Sequence, residues 1–310
     1  MQLKRIYMHT FSIIIPHHEI PALLQRCLDS IPDISEVQVI VVDDNSSEQK
    51  VDFERFPGLD RKHTRCIFDK EGGGAGHARN IGLRHADGKW LVFADSDDFF
   101  TKDAFQILNS HKDDPYDIIL FKADSVDSDD YSPTDRHLKL NKAIDKVQTG
   151  HITAKEAVLT EPVPWCKMVR RAHIQQKGVL FDEVQSSNDV MFVVKATCWA
   201  ADDGVTVSDE VLYVVTTRKN SLYTTRGKDP RNYLCRLDVR IRRNKFYDEN
   251  PYTTPQGGIA HYDQNKAPIL VQVLHALKFG PKTFCKAFVL AVRQRALFSG
   301  TSVIYKKLFH

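Results

Sequence analysis

The sequence predicts an α/β fold in which helices flank a mostly parallel sheet. Short apolar runs rich in Val, Ile and Phe alternate with segments whose apolar residues recur every three or four positions, and polar clusters follow the strands. Continuous apolar runs are typical of strands buried on both faces, and this alternation is typical of βαβ units. Because ligands of such sheets bind outside the carboxyl ends of the strands, the polar clusters mark the candidate site.

Residues 11–15 and 37–42 are the clearest strands, because both are continuous apolar runs with many β-branched side chains. Between them, apolar residues recur with helical spacing over 20–31. The other elements predicted for the first half are a short strand at 67–68, a helix over 77–86 after a glycine-rich loop, a strand at 90–94, a helix around 102–110 and a strand at 116–122.

The second half of the chain has weaker patterns. Residues 124–135 are rich in Asp and Ser, which predicts a surface loop or hairpin. The elements predicted after them are helices at 153–160 and 167–176, a short apolar element at 179–181, a helix from Asn188 and Asp189 to residue 200, a strand at 211–216 and a largely helical remainder with a Pro- and Gly-rich break at 251–258.

The composition is that of a folded chain with a sizeable core: 310 residues, 42% hydrophobic and 27% charged. This length predicts one large domain, or one domain with an appendage. We expect no signal peptide and no membrane span, since no apolar run approaches the roughly 18–20 residues that a span needs. The six cysteines form no CxxC pair, which argues against a zinc cluster or disulfide framework and fits a reducing cytoplasm.

Charge is unevenly distributed along the chain. Residues 226–310 contain 16 Lys and Arg against 5 Asp and Glu, whereas the preceding residues contain 27 against 35. Over 267–308, basic residues are interleaved with apolar ones, as in basic amphipathic helices that bind anionic membranes. The alternatives are an appendage that packs on the acidic body and a dimer contact. We expect no nucleic-acid binding, because no recognition motif accompanies the charge.

Three carboxylates, Asp95, Asp97 and Asp98, directly follow the strand at 90–94. Side chains alternate along a strand, so Asp95 and Asp97 point to the same side and repel each other unless a cation or a proton separates them. Mg²⁺ and Mn²⁺ prefer such oxygen ligands together with substrate phosphates. The cluster therefore predicts a metal–diphosphate site, and the alternative is a solvated acidic turn or a helix N-cap.

The order and spacing of several motifs resemble those of the family 2 glycosyltransferases, which have the GT-A fold. The motifs are Phe11–Pro16, Val41-Val-Asp-Asp-Asn-Ser46, Gly76-His-Ala-Arg-Asn-Ile-Gly82, Asp95-Ser-Asp-Asp98, Trp165-Cys-Lys167, Phe181-Asp-Glu183, Asn188-Asp189 and Leu212-Tyr213 with Arg218 and Ser221. The resemblance implies a GT-A domain over 1–225, followed by a basic helical region over 226–310. It implies an inverting transfer of a hexosyl or N-acetylhexosaminyl group, from a UDP-sugar above other nucleotide-diphosphate sugars, to a saccharide or lipid-linked hydroxyl in polysaccharide biosynthesis.

For the donor, the resemblance implies a nucleotide site made of Pro16, His18, Glu19, Asp44, Arg79, Asp95 and Ser96. Asp44 would accept a hydrogen bond from the nucleobase, and Asp95 would contact the ribose or a metal-bound water. His18 and Glu19 stand where the family has Tyr and Asn, so the imidazole would stack on the base and the base preference is open. Arg79 would pair with a phosphate or, alternatively, with the acidic cluster.

For the chemistry, the resemblance implies that Asp97 ligates the metal, Mn²⁺ or Mg²⁺, beneath the diphosphate. It also implies that Asp189 is the catalytic base, with Asn188 where the family usually has Glu. The alternative is that Asp189 only caps the helix that follows it. Trp165 and Asn188 are assigned to the acceptor side, and the alternative for Trp165 is a buried anchor under its loop.

Two other functions stay open on the sequence. Sugar-phosphate nucleotidyltransferases use a similar sheet, but they usually have a Gly-rich basic loop where this chain has Pro-His-His-Glu at 16–19. A degenerate sugar-nucleotide-binding or scaffolding domain would not need both Asp97 and Asp189. The glycines at 72–76 do not fit a dinucleotide fingerprint, which disfavours a dehydrogenase. We expect a cytoplasmic protein, peripheral on the inner face of the membrane if the basic tail binds lipid.

Overall fold

An eight-stranded sheet forms the centre of the first of two units into which the chain divides. The computed structural model describes residues 9–219, 221, 229–250, 252–253, 259–260 and 269–296. The first unit comprises Met1–Glu183 and Asn188–Arg218, and the second comprises Val184–Ser187 and Lys219–His310. Because residues 222–228 lie outside the described residues, the predicted domain boundary after residue 225 stays a prediction.

The first unit alternates strands and helices. Its strands are β1 (Phe11–His17), β2 (Val37–Asp44), β3 (Thr64–Asp69), β4 (Trp90–Phe93), β5 (Phe99–Phe100), β6 (Ile118–Asp127), β7 (Lys167–Arg170) and β8 (Val205–Thr217). Its helices are α1 (Pro21–Asp29), α2 (Gly74–His85), α3 (Ala104–Ser110), α4 (Leu138–Gln148), α5 (Ala154–Thr160), α6 (Arg171–Lys177) and α7 (Val190–Cys198).

The strand order is β3-β2-β1-β4-β7-β6-β8-β5. Parallel ladders join β3, β2, β1 and β4 to one another and β6 to β8, while antiparallel ladders attach β7 and β5. The predicted α/β sheet is confirmed, although its second half is mixed. Strand β7 lies between β4 and β6 and is antiparallel to both.

Strand β1 lies between β2 and β4, and all seven of its residues are buried. This double burial is the reason that β1 is a continuous apolar run and not an alternating one. The register pairs His17 with Asp43 and Ile14 with Phe93. The carboxyl ends of β1, β2 and β4 therefore meet at one edge of the sheet, which is where the predicted polar clusters lie.

The helix predicted over 167–176 is wrong in its first part. Residues Lys167–Arg170 form β7, and only Arg171–Lys177 is helical. Lys167, Met168 and Val169 are buried between two neighbouring strands, and this pairing outweighs the helical spacing of the apolar residues.

The loop predicted over 124–135 begins later, because β6 continues through Asp127 alongside β8. Helix α4 was not predicted. It follows the polar segment and buries Leu140, Ala143 and Ile144 on one face. So short an apolar stripe between charged residues gives a weak periodic signal.

The second unit has a small core of its own. It contains α8 (Pro230–Glu249), the hairpin strands β9 (Tyr252–Thr253) and β10 (Ile259–Ala260), α9 (Ile269–His275), a 3₁₀ turn (Ala276–Phe279) and α10 (Pro281–Arg293). Tyr233, Leu237, Ile241, Ile269 and Val273 are buried together. In the part of the chain that the structure describes, no helix has the length and hydropathy to cross a membrane. The predicted break at 251–258 lies mostly outside the described residues.

Candidate active site

A closed hydrogen-bonded cluster joins the ends of β1 and β2. His17 and Asp43 are paired in register, and both are buried. Nδ1 of His17 lies 2.7 Å from Oδ1 of Asp43, and Nε2 of His17 accepts a hydrogen bond of 3.1 Å from the amide of Ile20. Because Nε2 accepts, the proton of the neutral ring lies on Nδ1 and is donated to Asp43.

Asp43 also accepts two hydrogen bonds from Ser46. The amide of Ser46 donates to Oδ2 at 3.0 Å, and its hydroxyl donates to Oδ1 at 2.5 Å. Burial acts to raise the pKa of Asp43, but the hydrogen bonds from His17 and Ser46 outweigh burial and hold the pKa below its ordinary value. The carboxylate is therefore ionised and fully hydrogen-bonded, which makes it a structural clamp at this edge.

The residues predicted to bind the nucleobase surround this clamp. Nδ1 of His18 lies 2.8 Å from the carbonyl oxygen of Asp44, and the imidazole is exposed. Glu19 has a left-handed backbone, with φ of 57°, and its amide donates to the hydroxyl of Ser46 at 2.8 Å. Pro16 is buried one residue before the end of β1. The structure thus brings these residues to one edge, and their contact with a base stays a prediction.

Helix α2 begins at Gly74, whose amide donates to both carboxylate oxygens of Asp44 at 3.0 and 2.9 Å. Gly76 lies so close to Asp182 that an added Cβ atom would be 2.0 Å from the carbonyl oxygen of Asp182. Only glycine fits there, and the close approach brings the next turn of α2 against the segment that precedes α7. The glycine-rich segment therefore positions Arg79.

Arg79 connects the end of β4 to the start of α7. Its side chain is buried, Nη2 donates to Oδ1 of Asp95 at 2.6 Å, and Nη1 donates to Oδ1 of Asn188 at 2.9 Å. The guanidinium also lies 5.4 Å from the ring centroid of Phe181. In the structure Arg79 is thus paired with the acidic cluster, which was one of its two predicted partners; pairing with a phosphate stays a prediction.

Residues Asp95, Ser96 and Asp98 form a turn after β4, in which the amide of Asp98 donates to the carbonyl oxygen of Asp95 at 3.0 Å. The amide of Asp95 donates to the hydroxyl of Tyr213 at 2.8 Å, and Ser96 is buried. Sequence reasoning gave Tyr213 no role of its own. Its hydroxyl orients the first residue of the acidic cluster, a contact between residues 118 positions apart.

Asp98 is fully buried and incompletely hydrogen-bonded. Its Oδ1 accepts the amide of Thr216 at 2.6 Å, while Oδ2 has no hydrogen-bond partner within the described residues. Burial and the neighbouring charges of Asp97 and Asp95 raise the pKa of Asp98 well above its ordinary value. The alternative of a helix N-cap does not apply, because α3 begins only at Ala104.

Asp97 is the acidic residue whose environment fits a metal. Its backbone carbonyl oxygen accepts hydrogen bonds from Arg26 at 2.6 Å and from the hydroxyl of Thr216 at 2.7 Å. The carboxylate takes no part in these two hydrogen bonds. Burial and the charge of Asp95 raise the pKa of Asp97, while Arg218, 3.6 Å away, acts against them. Arg79 pairs with Asp95 and Arg218 lies near Asp97, but two close carboxylates are still a donor set that suits Mg²⁺ or Mn²⁺. Metal ligation by Asp97 stays a prediction.

Asp189 occupies the N-cap position of α7, but its side chain makes no capping hydrogen bond. Burial raises the pKa of Asp189 to about 6, and Arg79 acts in the opposite direction. A carboxylate with this pKa is ionised at neutral pH and is a stronger base than an ordinary aspartate. The alternative that Asp189 only caps the helix is therefore not supported by the structure.

Trp165, assigned to the acceptor side, has a buried ring stacked on Tyr213 with the centroids 6.1 Å apart. This arrangement matches the buried anchor considered as its alternative. Its loop is held by Lys167, whose ammonium donates to the carbonyl oxygens of Val163 at 2.7 Å and Trp165 at 3.4 Å. Burial lowers the pKa of Lys167 to about 8. Sequence reasoning missed this role, because a lysine in an apolar context rarely signals full burial.

Comparisons with known proteins show the family of the chain. The model of "Glycosyl transferase family 2" matches residues 12–176. The chain is 27% identical to "Uncharacterized glycosyltransferase EpsJ" of Bacillus subtilis (strain 168), over 68% of this chain and 62% of that protein. It is 25% identical to "Poly(ribitol-phosphate) beta-N-acetylglucosaminyltransferase TarS" of Staphylococcus aureus (strain Mu50 / ATCC 700699), over 73% of this chain and 39% of that protein. The chain thus spans less than two thirds of the length of these curated relatives.

Solved structures also resemble the chain. The crystal structure of S. aureus TarS 1-349 in complex with UDP-GlcNAc has a TM-score of 0.63 at 21% identity, covering 93% of this chain and 83% of that chain. Mannosyltransferase PcManGT from Pyrobaculum calidifontis, in complex with GDP-Man and Mn²⁺, has a TM-score of 0.53 at 15% identity, covering 98% of this chain and 83% of that chain. At these identities the likeness concerns the fold, and it confirms the expected GT-A architecture.

Proposed function

The chain belongs to glycosyl transferase family 2, and on that premise we propose that it moves a hexosyl or N-acetylhexosaminyl group from a nucleotide-diphosphate sugar to a hydroxyl of a saccharide or lipid-linked acceptor, with inversion. The observation that carries the proposal is the contact set of Arg79. One buried guanidinium joins Asp95, on the donor side, to Asn188, which precedes the predicted base Asp189. Such a link would keep donor and acceptor groups at a fixed separation.

A UDP-sugar is the proposed donor. Support comes from the related TarS structure, which holds UDP-GlcNAc, and the wider class of nucleotide-diphosphate sugars also includes the GDP-Man of PcManGT. In this chain Asp44 would accept a hydrogen bond from the base and His18 would stack on it. Glu19 adds a negative charge next to that position and would tune the choice of base.

Mn²⁺ or Mg²⁺ is the proposed cofactor, held by Asp97, with Asp95 at the ribose or at a metal-bound water. When bound, the metal offsets the charge that develops on the departing diphosphate, typically by several kcal/mol. Arg218, 3.6 Å from Asp97, adds a further positive charge on the same side. Arg26 and Thr216 fix the backbone of Asp97, so the direction of its carboxylate is set before the donor binds.

Asp189 is the proposed base. As the acceptor oxygen forms its bond to the anomeric carbon, the bond from that carbon to the diphosphate oxygen breaks, and the diphosphate leaves with the electron pair. The acceptor proton passes to the carboxylate of Asp189. Attack from the face opposite the leaving group inverts the configuration. Because burial raises the pKa of Asp189 to about 6, we expect kcat to rise with pH through about 6 as this carboxyl ionises.

A hydroxyl of a saccharide or lipid-linked molecule is the proposed acceptor, which would place the enzyme in polysaccharide biosynthesis. The support is indirect: the related TarS is named as a transferase that acts on poly(ribitol-phosphate), a polymer that also offers hydroxyl acceptors. Trp165 and Asn188 stay assigned to the acceptor side, and because the Trp165 ring is buried, we expect it to act by supporting its loop.

Thermal stability against nucleotides tests the donor site. Wild type would be heated with UDP, GDP, CDP or dTDP, each with and without Mn²⁺, beside Asp97→Ala and, as a control, the exposed Asp129→Ala. A ligand at about 100 times its Kd stabilises a fold by roughly 2.7 kcal/mol. We expect one diphosphate to raise Tm only with Mn²⁺, and Asp97→Ala to lose that rise. No shift with any diphosphate would instead favour a degenerate or scaffolding domain.

Turnover of Asp189→Asn tests the base. We expect kcat to fall by roughly 10²–10⁴-fold while the Mn²⁺-dependent nucleotide shift is retained, because general-base catalysis is lost and donor binding is not. Release of nucleoside diphosphate from the UDP-sugar is the readout, and unchanged turnover would remove Asp189 from the mechanism. Release of pyrophosphate from a sugar phosphate and a nucleoside triphosphate would favour the nucleotidyltransferase alternative.

We also propose that the second unit binds an anionic membrane surface, which would make a cytoplasmic enzyme peripheral. Residues 269–296 contain no Asp or Glu, and their basic residues are Lys278, Lys282, Lys286, Arg293 and Arg295. Apolar side chains are exposed in the same segment, including Leu274, Leu277, Phe288 and Val292. Exposed apolar groups beside unopposed cations are typical of interfacial helices.

Flotation with vesicles tests this surface. We expect the protein to float with phosphatidylglycerol vesicles and not with phosphatidylcholine vesicles, and Lys282→Glu with Lys286→Glu to abolish flotation. Lys50→Glu, in the first unit, is the matched control. Equal binding to both kinds of vesicle, or none to either, would contradict the proposal, and concentration-dependent dimerisation would favour a dimer contact instead.

A further inference from the structure

A second group of metal-ligating side chains lies at the end of β3. Asp69 ends the strand, Glu71 follows in the loop and His77 is in α2. One ligand atom of each lies within 4.8 Å of the others. Nε2 of His77 is 3.7 Å from Oδ2 of Asp69 and 3.5 Å from Oε2 of Glu71. These separations are long for hydrogen bonds but close to the roughly 3.3 Å between ligand atoms around a tetrahedral metal with bonds of about 2.0 Å.

The other nitrogen of the same imidazole faces a different carboxylate. Nδ1 of His77 lies 3.2 Å from Oε1 of Glu183, and Nδ2 of Asn80 donates to the same oxygen at 3.1 Å. Because this oxygen accepts the hydrogen bond from Asn80, Glu183 faces the ring as an acceptor. With the ring proton on Nδ1, the lone pair of Nε2 faces Asp69 and Glu71. Histidines that ligate metals usually have this carboxylate partner.

The imidazole is also held by packing. A Cβ atom added at Gly73 would lie 2.5 Å from Cγ of His77, so the glycine backbone passes directly against the ring. The carboxyl of Asp69 is 13% exposed, and among the described residues no Lys or Arg forms an ion pair with Asp69 or Glu71. Oδ2 of Asp69 accepts a hydrogen bond from the amide of Glu71 at 3.2 Å, but no Lys or Arg neutralises its charge, and a cation would do so.

From these contacts we propose that Asp69, Glu71 and His77 bind a Zn²⁺ ion, with Glu183 orienting His77. An imidazole with two carboxylates suits Zn²⁺, and three protein ligands leave a fourth position for water. This donor set differs from the all-carboxylate pair at Asp95 and Asp97, where Mg²⁺ or Mn²⁺ fits.

The consequence of the ion would be local rigidity. The ligands come from the end of β3, from the glycine-rich loop and from α2, so one ion would tie the three together. Gly74 lies in the same segment and donates to Asp44, the residue proposed at the nucleobase. On this one point the inference rests on the proposed function: a bound ion would reduce the mobility of the glycine-rich segment beside the proposed nucleotide site.

Calorimetric titration of chelator-treated protein with Zn²⁺, without nucleotide, tests the site. We expect one Zn²⁺ per chain, His77→Gln to weaken binding by at least about 100-fold and Glu183→Gln to weaken it by about 10–100-fold. His85→Gln, on the same helix, and the exposed Asp129→Ala should bind Zn²⁺ as wild type does. Circular dichroism would establish that each variant is folded.

Three results would overturn the inference. They are no Zn²⁺ binding by folded wild type, unchanged binding by His77→Gln, and sulfur ligands in the X-ray absorption spectrum of the zinc complex, since the chain has six free cysteines. Because no nucleotide is present, these results are independent of donor binding. If the donor proposal fails, the Mn²⁺-dependent nucleotide shift is lost while Zn²⁺ binding stays.

Discussion

Two strand ends in the first unit carry adjacent aspartates, and the two pairs have opposite electrostatic character. At the end of β2, the buried Asp43 receives hydrogen bonds from His17 and Ser46, and its pKa is lowered. At the end of β4, the buried Asp98 has one amide donor and an unpaired oxygen, and its pKa is raised with that of Asp97. Burial is common to both ends, so the difference comes from the donors that surround Asp43 and from the like charges of Asp97 and Asp95 that surround Asp98.

The comparison separates a structural carboxylate from a reactive one. A saturated carboxylate such as Asp43 has its lone pairs committed and holds the sheet edge together. Asp97 and Asp98 have pKa values raised by burial and by neighbouring carboxylates, so their negative charge is unfavourable and a cation can relieve it. We therefore expect substitution of Asp43 to act on stability and substitution of Asp97 to act on donor binding.

The largest expected effect is that of Asp97→Ala on turnover. Losing several kcal/mol of charge stabilisation corresponds to a fall of roughly 10³-fold in kcat/KM for the UDP-sugar. Nucleoside diphosphate release at saturating Mn²⁺ measures it, beside the exposed Asp129→Ala. A fall of less than tenfold would contradict the role of the Asp97 carboxylate in stabilising the charge on the departing diphosphate.

The next effect is on stability, in Asp43→Asn. The amide group replaces one acceptor oxygen with a donor that faces the donors of His17 and Ser46, so we expect a loss of about 2–3 kcal/mol. Urea unfolding measures it. Because the folded pKa is lowered, the stabilisation from Asp43 is complete above the unfolded value of about 3.9 and disappears as pH falls through the folded pKa. Asp43→Asn should remove that acid-dependent part of the stability. If the variant loses stability at low pH just as wild type does, Asp43 is not a structural clamp.

Tyr213→Phe tests the end of β4 through a residue that contacts the acidic cluster but does not belong to it. Its hydroxyl is the acceptor for the buried amide of Asp95, and removal leaves that amide without a partner. We expect a loss of about 1–2 kcal/mol, measured by the same unfolding experiment. A weaker Mn²⁺-dependent nucleotide shift should accompany it, since Asp95 is no longer fixed. Loss of stability with an unaltered shift would show that Tyr213 only packs the core.

The smallest effect is expected from Asp98→Asn, and its sign is opposite to that of Asp43→Asn. A neutral amide keeps the acceptor for Thr216 and removes a buried charge, so we expect a gain of about 1 kcal/mol near neutral pH. Because the folded pKa is raised, wild-type stability falls as pH rises from about 3.9 through that pKa, and the variant should lack this fall. A destabilised variant at pH 7 would contradict the account.

The strands and their polar ends could be predicted from the sequence for a physical reason. Buried parallel strands such as β1 leave a continuous apolar run, and the residues that follow them meet at one edge. Strand β7 could not be predicted in the same way, because Lys167 and Arg170 obscure its pattern and its pairing depends on distant strands. Helix α4 was missed for the lack of a strong apolar stripe.

Within the site, residue positions were easier to predict than residue environments. The sequence places Asp43 beside Asp44 and Asp97 beside Asp98, but it does not say which carboxylate receives donors. Those donors come from far along the chain, as His17 does for Asp43 and Thr216 does for Asp98. The proposed metal-ligating triad was missed for a different reason: Asp69, Glu71 and His77 are near in sequence, but their spacing does not show that the glycine-rich loop brings them together.

The most direct test of the central contrast compares Asp43→Asn and Asp97→Asn in one experiment: melting temperature with UDP, with and without Mn²⁺. The account predicts that Asp43→Asn melts lower than wild type and keeps the Mn²⁺-dependent rise. It predicts that Asp97→Asn melts at least as high as wild type and loses the rise. An Asp97→Asn protein that keeps the rise, or an Asp43→Asn protein that loses it at full stability, would contradict the account.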